Sequence, residues 1–333
     1  MKKTQFALAA LALVASSAAL AEGVTVYGTA DVSVMHTDNG TFMGGAGNSA
    51  GSIIGFKGSE DLGGGLKASF NLETGYSANN GALANGGAVN LNTVLFNRAA
   101  NIGISNGTLG LTLGTQTSPF IAGELVGATA VGGNGVFVPG LFVLNGGTLA
   151  GTTQSVGGFF IPDAASISAN IGGVSINALT RAVGSNTSEK YNAVNAIASF
   201  GAINASISYQ DVNSESSVGS NTVIAANTTI GDVRVNGAYA KNKGDFSSTG
   251  YMIGASMPLM GAISGGLTYA KNNGGVNMTS VSAQYTFSKS TFAYATYNTF
   301  GGSLAEGGFG VTANDGTGGT TKSNLIVGLA KSF

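Results

Sequence analysis

The chain has 333 residues and a formal net charge of −1, and only 9% of its residues are charged, against about 25% in a typical soluble domain. Its 55 glycines disfavour a helical protein, and the absence of cysteine removes disulfides and thiolate metal sites. A near-neutral balance without a basic stripe argues against nucleic-acid binding. Acyl-transfer chemistry needs a nucleophile, a base and an orienting group, and the single histidine, His36, is its one imidazole candidate.

At the start, Lys2 and Lys3 precede the apolar run Phe6 to Val14, and Ala19-Leu20-Ala21 forms a small-residue cleavage site. The run is shorter than the ~20 residues that a spanning helix needs. Residues 1–21 are therefore expected to be an export signal and 22–333 one mature unit. Removing the two lysines shifts the formal net charge from −1 to −3. No later run is long and apolar enough for a membrane helix.

From Val24 the chain alternates: Val24, Val26, Gly28, Ala30, Val32 and Val34 fall on one face, and Thr25, Tyr27, Thr29, Asp31 and Ser33 on the other. This period of two belongs to a strand with one greasy and one wet face. In Gly51 to Tyr76, Leu66, Ala68, Phe70 and Leu72 repeat the pattern, and Gly63-Gly64-Gly65 supplies the turn of a hairpin. Segments of this kind are expected near 23–36, 51–59, 66–76, 94–105, 109–116, 165–171, 174–183, 189–200, 203–212, 220–227, 232–241, 250–258, 262–271, 276–287, 291–300 and 322–333. Short turns such as Asn106-Gly107 and Gly172-Gly173 take turns with longer connections such as 77–93 and 301–321. The expected fold is all-β: a 16-stranded antiparallel transmembrane β-barrel with an even strand number and a wet interior. Tyr269, Tyr285, Phe287 and Tyr297 are placed to form its interfacial aromatic girdle.

The connection from Thr117 to about Ala164 is far longer than its neighbours, and Glu124 is its only charge before Asp163. Phe120, Ile121, Val131, Phe137, Phe142 and Leu144 make it apolar. Such a loop is a liability in bulk water, so it is expected against the inner wall. The alternative is an outer loop that adheres to a neighbouring subunit or a surface polymer.

Four stretches together resemble a family: FKGSEDLGGGLKA from Phe56 to Ala68, FNRAANIGIS from Phe96 to Ser105, YTFSKSTFAYATY from Tyr285 to Tyr297, and VGLAKSF from Val327 to Phe333. They are similar to the Gram-negative general porins of the Neisseria and Burkholderia type. The resemblance implies a homotrimer in the outer membrane, in contact with membrane lipid and lipopolysaccharide. It implies a long third loop folded into the lumen, no cofactor, and a C-terminal aromatic, Phe333, read by the barrel assembly machinery.

The family sets its selectivity with wall arginines, and this sequence departs at those places: Ile53 follows Ser52, Thr115 follows Gly114, Ser168 stands in the third, and Ala330 in the fourth. Charges that alternation places inside are Asp31, Lys57, Lys67, Glu73 and Arg234. The expected pore-lining and constriction set is therefore Asp31, Ile53, Lys57, Lys67, Glu73, Thr115, Glu124, Ser168 and Arg234. The expected function is a weakly charge-selective water-filled channel for small hydrophilic solutes and ions, slightly cation-preferring from the residual negative balance. A structural or adhesive trimeric surface barrel and a substrate-specific channel are the alternatives.

Arg98 shares its parity with Ala100, Ile102 and Ile104. That places it on the outer face, where an arginine at the bilayer midplane costs about 2–4 kcal/mol. By resemblance it is expected at the subunit contact, received by a carbonyl or Asn of the neighbour's second loop. His36, with Asp38 near it, is expected to be a solvated loop histidine rather than a metal or proton site.

Overall fold

The computed structural model describes residues 23–83, 94–128, 131, 133, 143, 159–181, 190–213, 218–244, 247–302 and 322–333. The export signal expected at 1–21 lies outside these residues, as do most of the connections 117–164 and 301–321 and part of 77–93. The described strands are β1 (Thr25–Thr37), β2 (Gly40–Gly44), β3 (Ile53–Gly63), β4 (Leu66–Gly75), β5 (Ala99–Ser105), β6 (Leu109–Thr117), β7 (Phe160–Ile171), β8 (Val174–Arg181) and β9 (Lys190–Phe200). They continue with β10 (Ile203–Asn213), β11 (Val218–Ile230), β12 (Val233–Gly244), β13 (Ser248–Met260), β14 (Ile263–Asn272), β15 (Asn277–Ser288), β16 (Thr291–Gly301) and β17 (Ser323–Ser332).

From β3 onward each strand pairs antiparallel with the next, β2 and β3 each pair with β1, and β17 pairs with β1, so the sheet closes on itself. The seventeen segments fill sixteen positions, because β2 and β3 share one. Ser33–Thr37 of β1 pair with β2, and Thr25–Thr29 pair with β3. Closure extends one residue past β17: Phe333 N donates to Gly28 O at 3.0 Å, and Gly28 N donates to Phe333 O at 3.2 Å.

The expected alternation decides which face each side chain takes. In β10, Ile203, Ile207 and Tyr209 are 41–52% exposed, whereas Ser208 and Gln210 between them are 1% exposed. The same inversion runs round the barrel: Ile224, Ile253, Leu267 and Val281 are more than half exposed on the outside, opposite to the order of a soluble protein. An unbroken apolar outer surface of this extent belongs in hydrocarbon. Tyr239, Tyr251, Tyr285, Phe287 and Tyr297 stand exposed toward the ends of this band, as an interfacial girdle requires.

Two features depart from the sequence reading. Alternation predicts the second strand as one segment, 51–59; instead residues 45–52 leave the wall between β2 and β3 and turn into the lumen. Asp31, fully buried, holds this inlay: its Oδ2 accepts from Ser49 N at 2.7 Å and Ala50 N at 2.9 Å, and its Oδ1 accepts from Tyr294 OH at 2.6 Å. Asn48 Nδ2 adds a bond to Ser33 Oγ at 2.7 Å. Tyr294 reaches Asp31 by lying flat over Gly328, where any Cβ would overlap the ring.

The interior also contains a dry region, which an alternation of apolar-out and polar-in does not foresee. Tyr191, Val212, Val223, Ala240, Met252, Ala270 and Met278 point inward from successive strands and are buried with Phe120, Ile121 and Val143 of the long loop. Burial of this surface supplies hydrophobic stabilisation inside the barrel itself.

Candidate channel lumen

After β6 the chain enters the lumen as a short helix, α1 (Pro119–Glu124), followed by a 3-10 turn at Leu125–Gly127. Ser118 caps α1, accepting from Phe120 N at 3.1 Å, and Pro119 occupies a first-turn position that needs no N–H. The wall then grips the loop by its backbone. Asn195 Nδ2 donates to Pro119 O at 2.6 Å, Ser206 Oγ to Gly123 O at 2.7 Å, Asn227 Nδ2 to Val126 O at 2.8 Å, and Asn236 Nδ2 to Gly127 O at 2.6 Å. Farther round, Ser282 Oγ donates to Val131 O at 3.0 Å. Five strands thus supply side-chain donors to five carbonyls of the loop.

A second polar chain runs across the strands from the helix cap. Ser118 Oγ lies 2.5 Å from Tyr191 OH, which donates to Gln210 Oε1 at 2.8 Å. Gln210 Nε2 donates to Asn221 Oδ1, Asn221 Nδ2 to Asn242 Oδ1, and Asn242 Nδ2 to Ser248 Oγ. Each group is both donor and acceptor, so the chain polarises in one sense and braces β9–β13. The sequence shows hydroxyls and amides facing inward, but not that they bond each other and the loop rather than water.

Toward the loop ends, β9–β17 are consequently sealed: Gln210, Met252, Met278, Asn298 and Asn324 are at most 1% exposed. Much of the inward face of β3–β8 stays in reach of solvent, although Ala99, Ala164 and Leu179 are buried. Lys57, Lys67 and Ser69 are exposed, and Asn71, Thr112, Gln116, Ser166, Ser168 and Asn177 are partly so. The open side of the lumen is thus an eccentric polar wall.

One cluster dominates this wall. Tyr27 lies across Gly55, where a Cβ would come within 2.5 Å of its ring, and its hydroxyl lies 2.8 Å from both Asn71 Oδ1 and Glu73 Oε2. Glu73 Oε1 accepts from Arg98 Nε at 2.6 Å, and the Arg98 guanidinium covers the Phe160 ring at 4.4 Å. Lys57 Nζ stands 4.9 Å from the centre of the Tyr27 ring, a cation–π distance.

Several expected site residues take other places. Arg98 does not face outward: β5 begins at Ala99, so the strand's alternation does not extend to it, and its side chain turns to lumenal Glu73 within its own chain. Asp31 anchors the inlay and presents no charge to water. Glu124 is fully buried at the end of α1 rather than lining the passage. Thr115 pairs with Ala100, on the row of outward Ile102 and Leu113, where plain alternation from Leu113 puts it; Gln116 takes the inward place and accepts from Ser166 Oγ at 2.5 Å.

Ile53, Lys57, Lys67, Glu73, Ser168 and Arg234 occupy inward positions. Ile53 stands opposite Thr29 and Gly75, Lys67 opposite Asp61, Ser168 opposite Asn177, and Arg234 opposite Ser256. Arg181 was missed; it faces inward opposite Ala164, with Nη2 3.9 Å from Asp163 Oδ2. Its position at the end of an alternating run was the available signal. His36 faces outward with Nδ1 2.8 Å from Thr41 Oγ1, and Asp38 accepts from Lys322 N. Among the described residues no cluster of three His, Asp or Glu is placed to hold a metal ion.

A closed antiparallel barrel with an apolar outer face, a loop seated inside and a wet polar wall defines a transmembrane β-barrel of the outer-membrane type. Residues 7–325 match the Gram-negative porin family, and the chain belongs to it. An outer membrane porin protein of Bordetella pertussis is 36% identical over 35% of this chain and 34% of its own length, so the match spans about a third of that relative. The anion-selective porin of Comamonas acidovorans superposes with a TM-score of 0.71 at 21% identity, covering 93% of this chain and 99% of that one. The trimer form of OmpT from Vibrio cholerae does so at 0.66 and 14% identity, covering 93% and 99%.

Proposed function

We propose that the chain forms a water-filled outer-membrane channel for passive diffusion of small hydrophilic solutes and ions. The solvent-reachable polar wall of β3–β8 inside a closed, lipid-facing barrel carries this reading. Family membership and the trimer form of the Vibrio OmpT support a homotrimer. Recording in planar bilayers should give stepwise conductance in triplets; silence from intact trimers would favour a structural or adhesive surface barrel instead.

Residues 1–21 would direct export, so the mature N-terminus found by mass spectrometry should be Glu22. Phe333, paired to β1, would serve as the signal for the barrel assembly machinery. Lys241, Lys243 and Lys271 face outward beyond the belt of Tyr239, Tyr251 and Tyr269, a position suited to lipid phosphates such as those of lipopolysaccharide. The lipid-facing assignment has its own test. Ile253→Arg should cost about 2–4 kcal/mol in urea titrations of vesicle-folded protein, whereas Ser69→Arg on the wet wall should cost far less. Equal costs would count against it.

A further inference from the structure

The family's wall arginines are replaced here by Ile53, Thr115, Ser168 and Ala330, which suggests a wall stripped of positive charge. The geometry around Tyr27 points the other way. Arg98 reaches the lumen from the residue before β5, and Glu73 spends one carboxylate oxygen on it and the other on the Tyr27 hydroxyl. That carboxylate and that guanidinium cancel. Lys67 stands opposite Asp61 at the turn end of the wall. Asp31, whose charge alternation would have added to the negative side, is fully buried beneath three donors.

Of the other inward cations, Arg181 lies 3.9 Å from Asp163, and Arg234 stands at the turn end of β12, opposite Ser256. What remains in mid-wall is Lys57. It is exposed, it forms neither of the two ion pairs found among the described residues, and it is stationed over the face of Tyr27 rather than free to sweep the lumen. We propose that Lys57 sets the ion preference of this channel, that the preference is for anions, and that Glu73 limits its strength by masking Arg98. The proposal rests on the channel reading and reverses the sign that net charge alone suggests. A fixed charge acts on permeating ions through its local field in a low-dielectric wall, so a nearby charge weighs more than the net balance of the chain.

The test is the reversal potential of single channels in a potassium chloride gradient, with variants on both sides of the balance. Wild type should pass chloride over potassium by about two- to fivefold, the effect of one partly screened charge. Lys57→Gln should bring the ratio to about one and Lys57→Glu should invert it. Glu73→Gln should raise the ratio above wild type by uncovering Arg98, a change opposite in sign to that of Lys57→Gln that mere loosening of the cluster would not produce. Lys289→Gln, in the β15–β16 turn, should change nothing. A wild-type preference for potassium, an unchanged ratio in Lys57→Gln, or a lowered ratio in Glu73→Gln overturns the proposal while leaving a conducting channel. Absence of conductance steps from wild type would instead remove the channel reading beneath it.

Discussion

Asp31→Ala should raise the single-channel conductance and cost at least about 3 kcal/mol of folding free energy. The carboxylate is fully buried and accepts from two successive backbone N–H groups of the inlay and from Tyr294 OH, at 2.6–2.9 Å. Hydrogen bonds to a charged group contribute about 1.5–3 kcal/mol each, and truncation leaves three donors unsatisfied. The inlay would then lose its hold on the wall, and residues 45–52 would be released from the position between β2 and β3. Gly328→Val reaches the same contact without touching the acid: its side chain occupies the space of the Tyr294 ring and should reproduce part of both effects. Urea titration in vesicles and bilayer recording would show it. If Asp31→Ala left conductance and stability at wild-type values, the inlay would have no part in shaping the lumen.

The second large effect concerns the seating of the long loop. Combining Asn195→Ala, Asn227→Ala and Asn236→Ala removes three of the five side chains that hold its carbonyls. At about 0.5–1.5 kcal/mol for each bond, the triple variant should weaken seating by roughly 2–4 kcal/mol. The apolar contacts of Phe120, Ile121 and Val143 remain, so the barrel should still assemble. The expected result is a noisier, larger conductance and faster swelling of liposomes in larger neutral sugars. An unchanged size limit would mean that the apolar contacts alone position the loop.

Much of this architecture was legible in the sequence because alternation at a period of two is a local property. It placed β10 and the first strand on the correct faces, separated Lys57 and Glu73 from Phe56 and Leu72, and set the even strand number. An apolar loop with one charge was enough to expect it against the inner wall. What escaped were features that depend on where a strand stops. Arg98 follows the parity of β5 on paper, yet it precedes the first paired residue and turns the other way. Residues 45–52 carry no apolar pattern at all, and polar contacts to Asp31 and Ser33 of β1 fix their course. Resemblance to the family puts Thr115 inside, but alternation from Leu113 turns it outward and gives Gln116 the inward place. The dry inner patch of Val223, Ala240 and Met252 was hidden because Ala and Val at inward positions resemble breaks in a polar face until the loop covers them.

The hold on the loop is directed at main-chain oxygens, and this has a consequence for how such a channel can change over generations. Ala122 and Leu125 are not buried, so their side chains can be exchanged without disturbing the bonds that Asn195, Ser206, Asn227 and Asn236 supply, whereas Gly123 and Gly127 leave no room for a Cβ beside Ser208 and Ala238. Docking and permeation are thereby inherited separately: the asparagines act as a socket, and the inserted text can drift toward new solutes while the socket stays as it is.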